Sequence, residues 1–107
     1  MGGEASEELE GIEAVKRLLR VAVQRSGQSR RVADFLLAWY NAGDNGGWDP
    51  SDLWSVDPAL ADDMLRVLKL VRRHSGKYPN DLGFRDEIVA VWHMWRENRP
   101  AAEVDEG

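Results

Sequence analysis

The sequence predicts an all-α fold, a compact bundle of four main helices plus one short helix after a Gly-rich loop. Three observations point there. Apolar residues recur at three- and four-residue spacing in four separate stretches. Serine, glycine, Asp-Pro and Asn-Arg-Pro signals start or stop those stretches. No stretch alternates apolar and polar residues as a half-buried strand would. At 107 residues the chain fits one domain. The expected division is a disordered N-terminus at 1–6, a single helical domain at 7–99 and a flexible acidic tail at 100–107.

The first helix is expected over residues 7–25. Glu7 and Glu8 suit its first turn, where the helix dipole favours anions. Leu9, Ile12, Val15, Leu19 and Ala22 form its stripe. Gly11 interrupts it at a cost of roughly 1 kcal/mol, so the first turns are expected to fray. Gly27 reads as the C-cap.

Ser29 reads as the cap of helix two, which Gly43 would stop. Val32, Phe35, Leu36, Trp39 and Tyr40 form its stripe, and Ala33, Leu37 and Ala38 leave almost no polar face. A helix apolar nearly all round sits at the centre of its bundle. The loop at 44–49 follows. Asp49-Pro50 then starts a short helix that ends near Ser55, and Asp57-Pro58 repeats the signal for a helix over 58–75. Tyr78-Pro79-Asn80-Asp81 predicts a turn. Phe84, Ile88, Val91, Trp92 and Trp95 predict a last helix over 83–98.

Composition excludes several chemistries. The chain has no cysteine, so disulfides, thiolate metal sites and cysteine nucleophiles are ruled out. No apolar run approaches the roughly 18 residues of a membrane span, and the start lacks a basic-then-apolar leader. The expected compartment is cytoplasmic, with no membrane association. The net charge of −5 comes from the ends: four glutamates in the first ten residues and three acids in 101–107 leave the body at about +2.

The loop fits neither of the two ligand patterns its residues suggest. An EF-hand starting at Asp44 would need oxygen ligands where Gly46 and Trp48 stand, and a glutamate where Ser55 stands. A phosphate loop would need Lys-Ser/Thr where Trp48-Asp49 stand. Neither matches. His74 and His93 lack partners at zinc-ligand spacing. No catalytic, metal or cofactor residue is therefore assigned, no cofactor is expected, and the chain is read as a non-enzyme.

Charge is distributed unevenly. Residues 41–65 hold Asp44, Asp49, Asp52, Asp57, Asp62 and Asp63 and no base. Residues 66–77 hold five bases and no acid. An acidic face steers toward basic partners. Tryptophan is enriched at interface hot spots, and two tryptophans stand in this acidic stretch. The partner-binding candidates are Asp44, Trp48, Asp49, Asp52, Trp54, Asp62 and Asp63. Core or interface stays open for Trp48 and Trp54, whereas Trp39, Trp92 and Trp95 fall on helical stripes and read as core.

Nucleic acid gives a second reading. Residues 12–40 carry six bases against two acids. The Ser26-Gly27-Gln28 break followed by Ser29-Arg30-Arg31 is helix-turn-helix-like, with Arg25, Arg30 and Arg31 as the contacts. The apolar body of helix two argues against its lying exposed in a groove.

From Phe35 through Ala42, at Gly46-Gly47-Trp48-Asp49 and at Asp52 through Asp57, the chain resembles a family of short uncharacterised proteins carried on proteobacterial plasmids and integrative conjugative elements. The likeness reaches the Tyr78-Pro79 turn and leaves out the acidic ends. It implies a mobile-element accessory protein and no assigned activity. The expected function is a protein-interaction module, of which an anti-CRISPR-type inhibitor is one form. Its partner would be a host protein or protein–RNA complex with a basic surface. A homodimer sharing the surplus apolar face of helix two is a further expectation.

Overall fold

Four α-helices form the bundle in the computed structural model, which describes residues 3–97. They are α1 (Gly3–Ala22), α2 (Gly27–Asn45), α3 (Pro58–Arg73) and α4 (Arg85–Trp92). Short 3-10 turns at Pro50–Trp54 and Pro79–Leu82 link them, and a π turn at His93–Glu97 extends α4. No strand occurs among the described residues. The all-α bundle matches the expectation. The tail expected at 100–107 lies outside the described residues.

α1 is the spine, touching each of the other three helices. It runs antiparallel to α3, as three contacts along its length show. Glu7 meets Arg73 at 3.2 Å, Gly11 lies against Leu70, and Arg17 meets Asp63 at 2.8 Å. Residues 3–6 were expected to be disordered, yet helix begins at Gly3. Acids in a first turn suit the dipole, and the next residues are anchored: Glu7 to Arg73 and Glu8 to His74 at 2.8 Å. Gly11 is likewise no fraying point. It is buried, and its missing Cβ lets α3 approach closely.

Ser26, not Ser29, caps α2. Its Oγ accepts the Ser29 backbone N–H at 3.0 Å, the N-cap to N3 bond. Gly27 therefore opens α2 instead of closing α1. The far end also differs from expectation. Asn41 leaves helical geometry (φ −166°, ψ 89°). Its side chain then caps one further turn, with Oδ1 accepting the Asp44 N–H at 3.1 Å. Gly46 (φ 91°) closes the helix instead of Gly43.

The core joins Val15, Leu18 and Ala22 of α1 to Val32, Leu36 and Leu37 of α2, Met64, Val67 and Leu70 of α3, and Ile88 and Val91 of α4. All of these are fully buried. α2 buries its apolar stripe against α1 and α4, but the central place its composition suggested is held by α1. The π turn widens the helix end and carries two side chains back onto the bundle. Trp95 Nε1 donates to the Ala22 carbonyl at 2.6 Å. Arg96 donates to the Asn45 carbonyl at 3.2 Å and to Asp34 Oδ1 at 2.8 Å.

Candidate functional site

The loop between α2 and α3 sends its two tryptophans in opposite directions. Trp48 turns inward and meets the Phe35 ring edge-on, with centroids 4.8 Å apart. Its indole Nε1 is shut away from solvent without a hydrogen-bond partner among the described residues. Asp49 then caps the 3-10 turn, accepting the Ser51 N–H at 2.9 Å and the Ser51 hydroxyl at 2.9 Å. The Ser51 backbone bond first, and the hydroxyl bond second, hold the Asp49 carboxyl below the usual carboxylate value. The turn ends at Trp54, which is 87% exposed. It is the most exposed large apolar side chain among the described residues.

The aspartates do not form one continuous acidic face. Asp63 is buried at 4% exposure, because its place on α3 points it between Arg17 and Arg66. Arg17 donates through Nε at 2.9 Å and Nη2 at 2.8 Å, and Arg66 through Nη1 at 2.9 Å. Burial opposes ionisation of Asp63, but the two guanidinium groups together hold its carboxyl below the ordinary value. The Arg17 guanidinium is correspondingly raised, first by its hydrogen bond to Asp63. Asp63 is thus committed to joining α1 and α3 and is not available to a partner.

Asp52 lies 3.7 Å from Arg31. That pair joins a member of the acidic candidate set to a member of the basic one and partly neutralises both. Asp57 precedes α3 without a side-chain cap bond. It instead exchanges hydrogen bonds with Gln28, accepting from Nε2 and donating its N–H to Oε1. Asp44 accepts from Asn41 Nδ2 at 2.9 Å. Among the described residues Asp44, Asp49, Asp57 and Asp62 are exposed and in no ion pair.

Of the basic candidates, Arg25 and Arg30 are exposed. Arg31 is turned to Asp52 and the Gly27 carbonyl. Val32, Ala33, Phe35, Leu36 and Leu37 are buried, so the face of α2 that carries them is committed to the core.

A shallow cavity of about 330 Å³ opens where the end of α2 meets the end of α4. Its lining includes Tyr40, Asn41, Asp44, Val89, Trp92 and His93. Of these, Asp44 is the one partner-binding candidate the sequence offered, whereas Tyr40 and Trp92 read there as helix-stripe residues and His93 as a histidine without zinc-ligand partners. The capping relation of Asn41 to Asp44 has the spacing of a helix N-cap pair, and that was the legible signal for the break that opens this cavity. Nothing local announces the π turn. Among the described residues no group of three His, Cys, Asp or Glu side chains could hold a metal ion, and no helix is long and apolar enough to cross a membrane.

The model of one family of unknown function, DUF7673, matches residues 12–96. The chain belongs to that family. No curated protein and no solved structure matches it. The matched span includes Trp54, the Arg17–Asp63–Arg66 cluster and the cavity residues, and it leaves out the acidic ends.

Proposed function

We propose that this member of DUF7673 is a non-enzymatic protein-interaction module that docks on a partner through the surface around Trp54. The single observation behind this reading is the exposure of Trp54, 87%, at the end of a turn pinned by the Asp49 cap. A large apolar ring held out by ordered backbone costs little entropy to bury, and such rings anchor interfaces. The surrounding charge favours a basic partner: Asp49 and Asp57 flank the turn without ion pairs, while Asp52 is shared with Arg31.

Within this reading the partner is a host protein or protein–RNA complex with a basic surface. The likeness to proteins of plasmids and integrative elements supports a mobile-element setting, in which an anti-CRISPR-type inhibitor is one form. The test is affinity capture from host lysate with wild type, Trp54→Ala and Asp49→Lys/Asp57→Lys. A partner held by wild type and lost from both variants, each folded by circular dichroism, supports the proposal. Equal recovery with all three would sink it.

The exposure of Arg25 and Arg30 at the α1–α2 corner favours a second reading, a nucleic-acid-binding regulator. It requires binding to DNA or RNA that weakens steeply with salt. Absence of binding at about 50 mM salt removes it.

A further inference from the structure

We propose that the cavity between the end of α2 and the end of α4 receives an organic cation, the guanidinium head of an arginine side chain on a partner protein. The lining has the chemistry of a cation receptor. Tyr40 and Trp92 contribute aromatic surface, Val89 an apolar wall and Asp44 a carboxylate. Aromatic faces attract a cation most strongly where it is partly desolvated, and a carboxylate supplies the charge-assisted hydrogen bond.

The Asp44 carboxylate has capacity for this. Oδ2 accepts from Asn41 Nδ2, and Oδ1 accepts nothing from the described residues. The same bond holds the side chain in place through the Asn41 break in α2. His93 Nδ1 is bonded to Glu97, whose carboxylate does not line the cavity. No lysine or arginine lines the cavity. The neighbouring base, Arg96, is occupied by Asp34 and the Asn45 carbonyl and does not line it. A small metal ion would want several oxygen ligands, whereas this mixture of rings and one carboxylate suits a larger, delocalised cation.

The inference agrees with a basic partner but does not rest on Trp54. Arg31, beside the Trp54 turn, and Tyr40, in the cavity, are nine positions apart on the unbroken part of α2, roughly 13 Å at helical rise, so either surface can fail alone.

The experiment uses the full chain labelled with nitrogen-15. It is titrated with N-acetyl-arginine amide, with propylguanidinium and with the uncharged N-acetyl-citrulline amide. The expected result is a saturable shift of the Trp92 indole N–H signal with both cations, at a dissociation constant on the order of 1 mM. The signal is identified by its loss in Trp92→Phe. The citrulline compound should leave it in place. Asp44→Asn should weaken binding about tenfold. Because Asp44 also braces the α2 break, His93→Lys is the second variant. It adds a positive charge to an exposed position and should abolish the shift in a protein whose spectrum is otherwise native. Equal shifts from citrulline, no saturable shift from either cation, or undiminished binding in His93→Lys overturns the cation site. Binding of propylguanidinium without the arginine derivative overturns its assignment to a partner side chain.

Discussion

Gly11 and Leu70 bring α1 and α3 into close contact. A Cβ at Gly11 would stand 2.9 Å from the Leu70 Cβ and 3.3 Å from the Arg66 carbonyl oxygen. Neither atom is the free end of a flexible chain, so the helices themselves would have to part. Gly11→Ala gains roughly 1 kcal/mol of helix propensity and meets an overpacking cost of about 1–3 kcal/mol. The expected outcome is a net loss of about 1 kcal/mol, seen as a midpoint several degrees lower in thermal denaturation. Gly27→Ala is the contrast. Its Cβ would meet only the Arg31 guanidinium at 3.6 Å, so that variant should be as stable as wild type or more so. A stabilised Gly11→Ala would refute the close-contact account.

Asp63 should give stability a specific pH dependence. Its folded carboxyl is held below the ordinary value, so the unfolded chain binds more protons in the window between the folded and the ordinary value. Stability from this group is therefore present above about pH 4 and is lost as pH falls through the folded value. Asp63→Asn should cost about 2 kcal/mol at neutral pH. Removing a buried partner can cost more, but both arginines are nearly half exposed and can return to water. Urea midpoints at about pH 7 and about pH 3 test the sign. The gap between wild type and Asp63→Asn should narrow in acid, and a constant gap would contradict the assignment.

Much of the fold was legible because its signals are local. The Asp-Pro start and the apolar period placed a helix over 58–75, and α3 spans Pro58–Arg73. The composition of α2 announced its burial. What was not legible depends on partners distant in the chain. Gly11 reads as a weakness until Leu70 is brought against it. Asp63 looks like one more surface acid until Arg17, 46 residues away, closes on it. At the candidate site the sequence drew attention to Asp44, Trp48, Asp49 and Trp54, which the structure distributes over the end of α2, the loop and the 3-10 turn. Their individual fates were set by loop direction, which side-chain type does not encode. Tyr40, Trp92 and His93 converge because the ends of α2 and α4 pack together, a long-range contact that no local signal encodes.

The α2 cap should be measurable at one hydroxyl. Ser26 Oγ accepts the Ser29 N–H and also lies 2.8 Å from the Ser29 hydroxyl. Ser26→Ala removes both bonds and should cost about 1 kcal/mol in chemical denaturation. Ser26→Asp restores an acceptor at the dipole's positive end and should recover most of the loss. Equal stability of Ser26→Ala and wild type would return the cap to another residue.

Trp48 and Trp54 stand six positions apart and should respond oppositely to truncation. Trp48 packs on Phe35 against the core, so Trp48→Ala should destabilise by about 2–3 kcal/mol, below the full cost of a completely buried aromatic. Trp54 touches mostly solvent, and Trp54→Ala should fall within about 0.5 kcal/mol of wild type. Binding should show the reverse order of specificity. Loss of Trp54 should weaken an anchored partner by about 2 kcal/mol, near thirtyfold, with unfolding midpoints unchanged. Trp48→Phe keeps an aromatic against Phe35 and removes an indole N–H that has no partner. It should cost less than Trp48→Ala and leave partner affinity intact. The combination separates core from interface: a Trp54→Ala protein that unfolds early would make that ring structural and remove the basis for the docking surface.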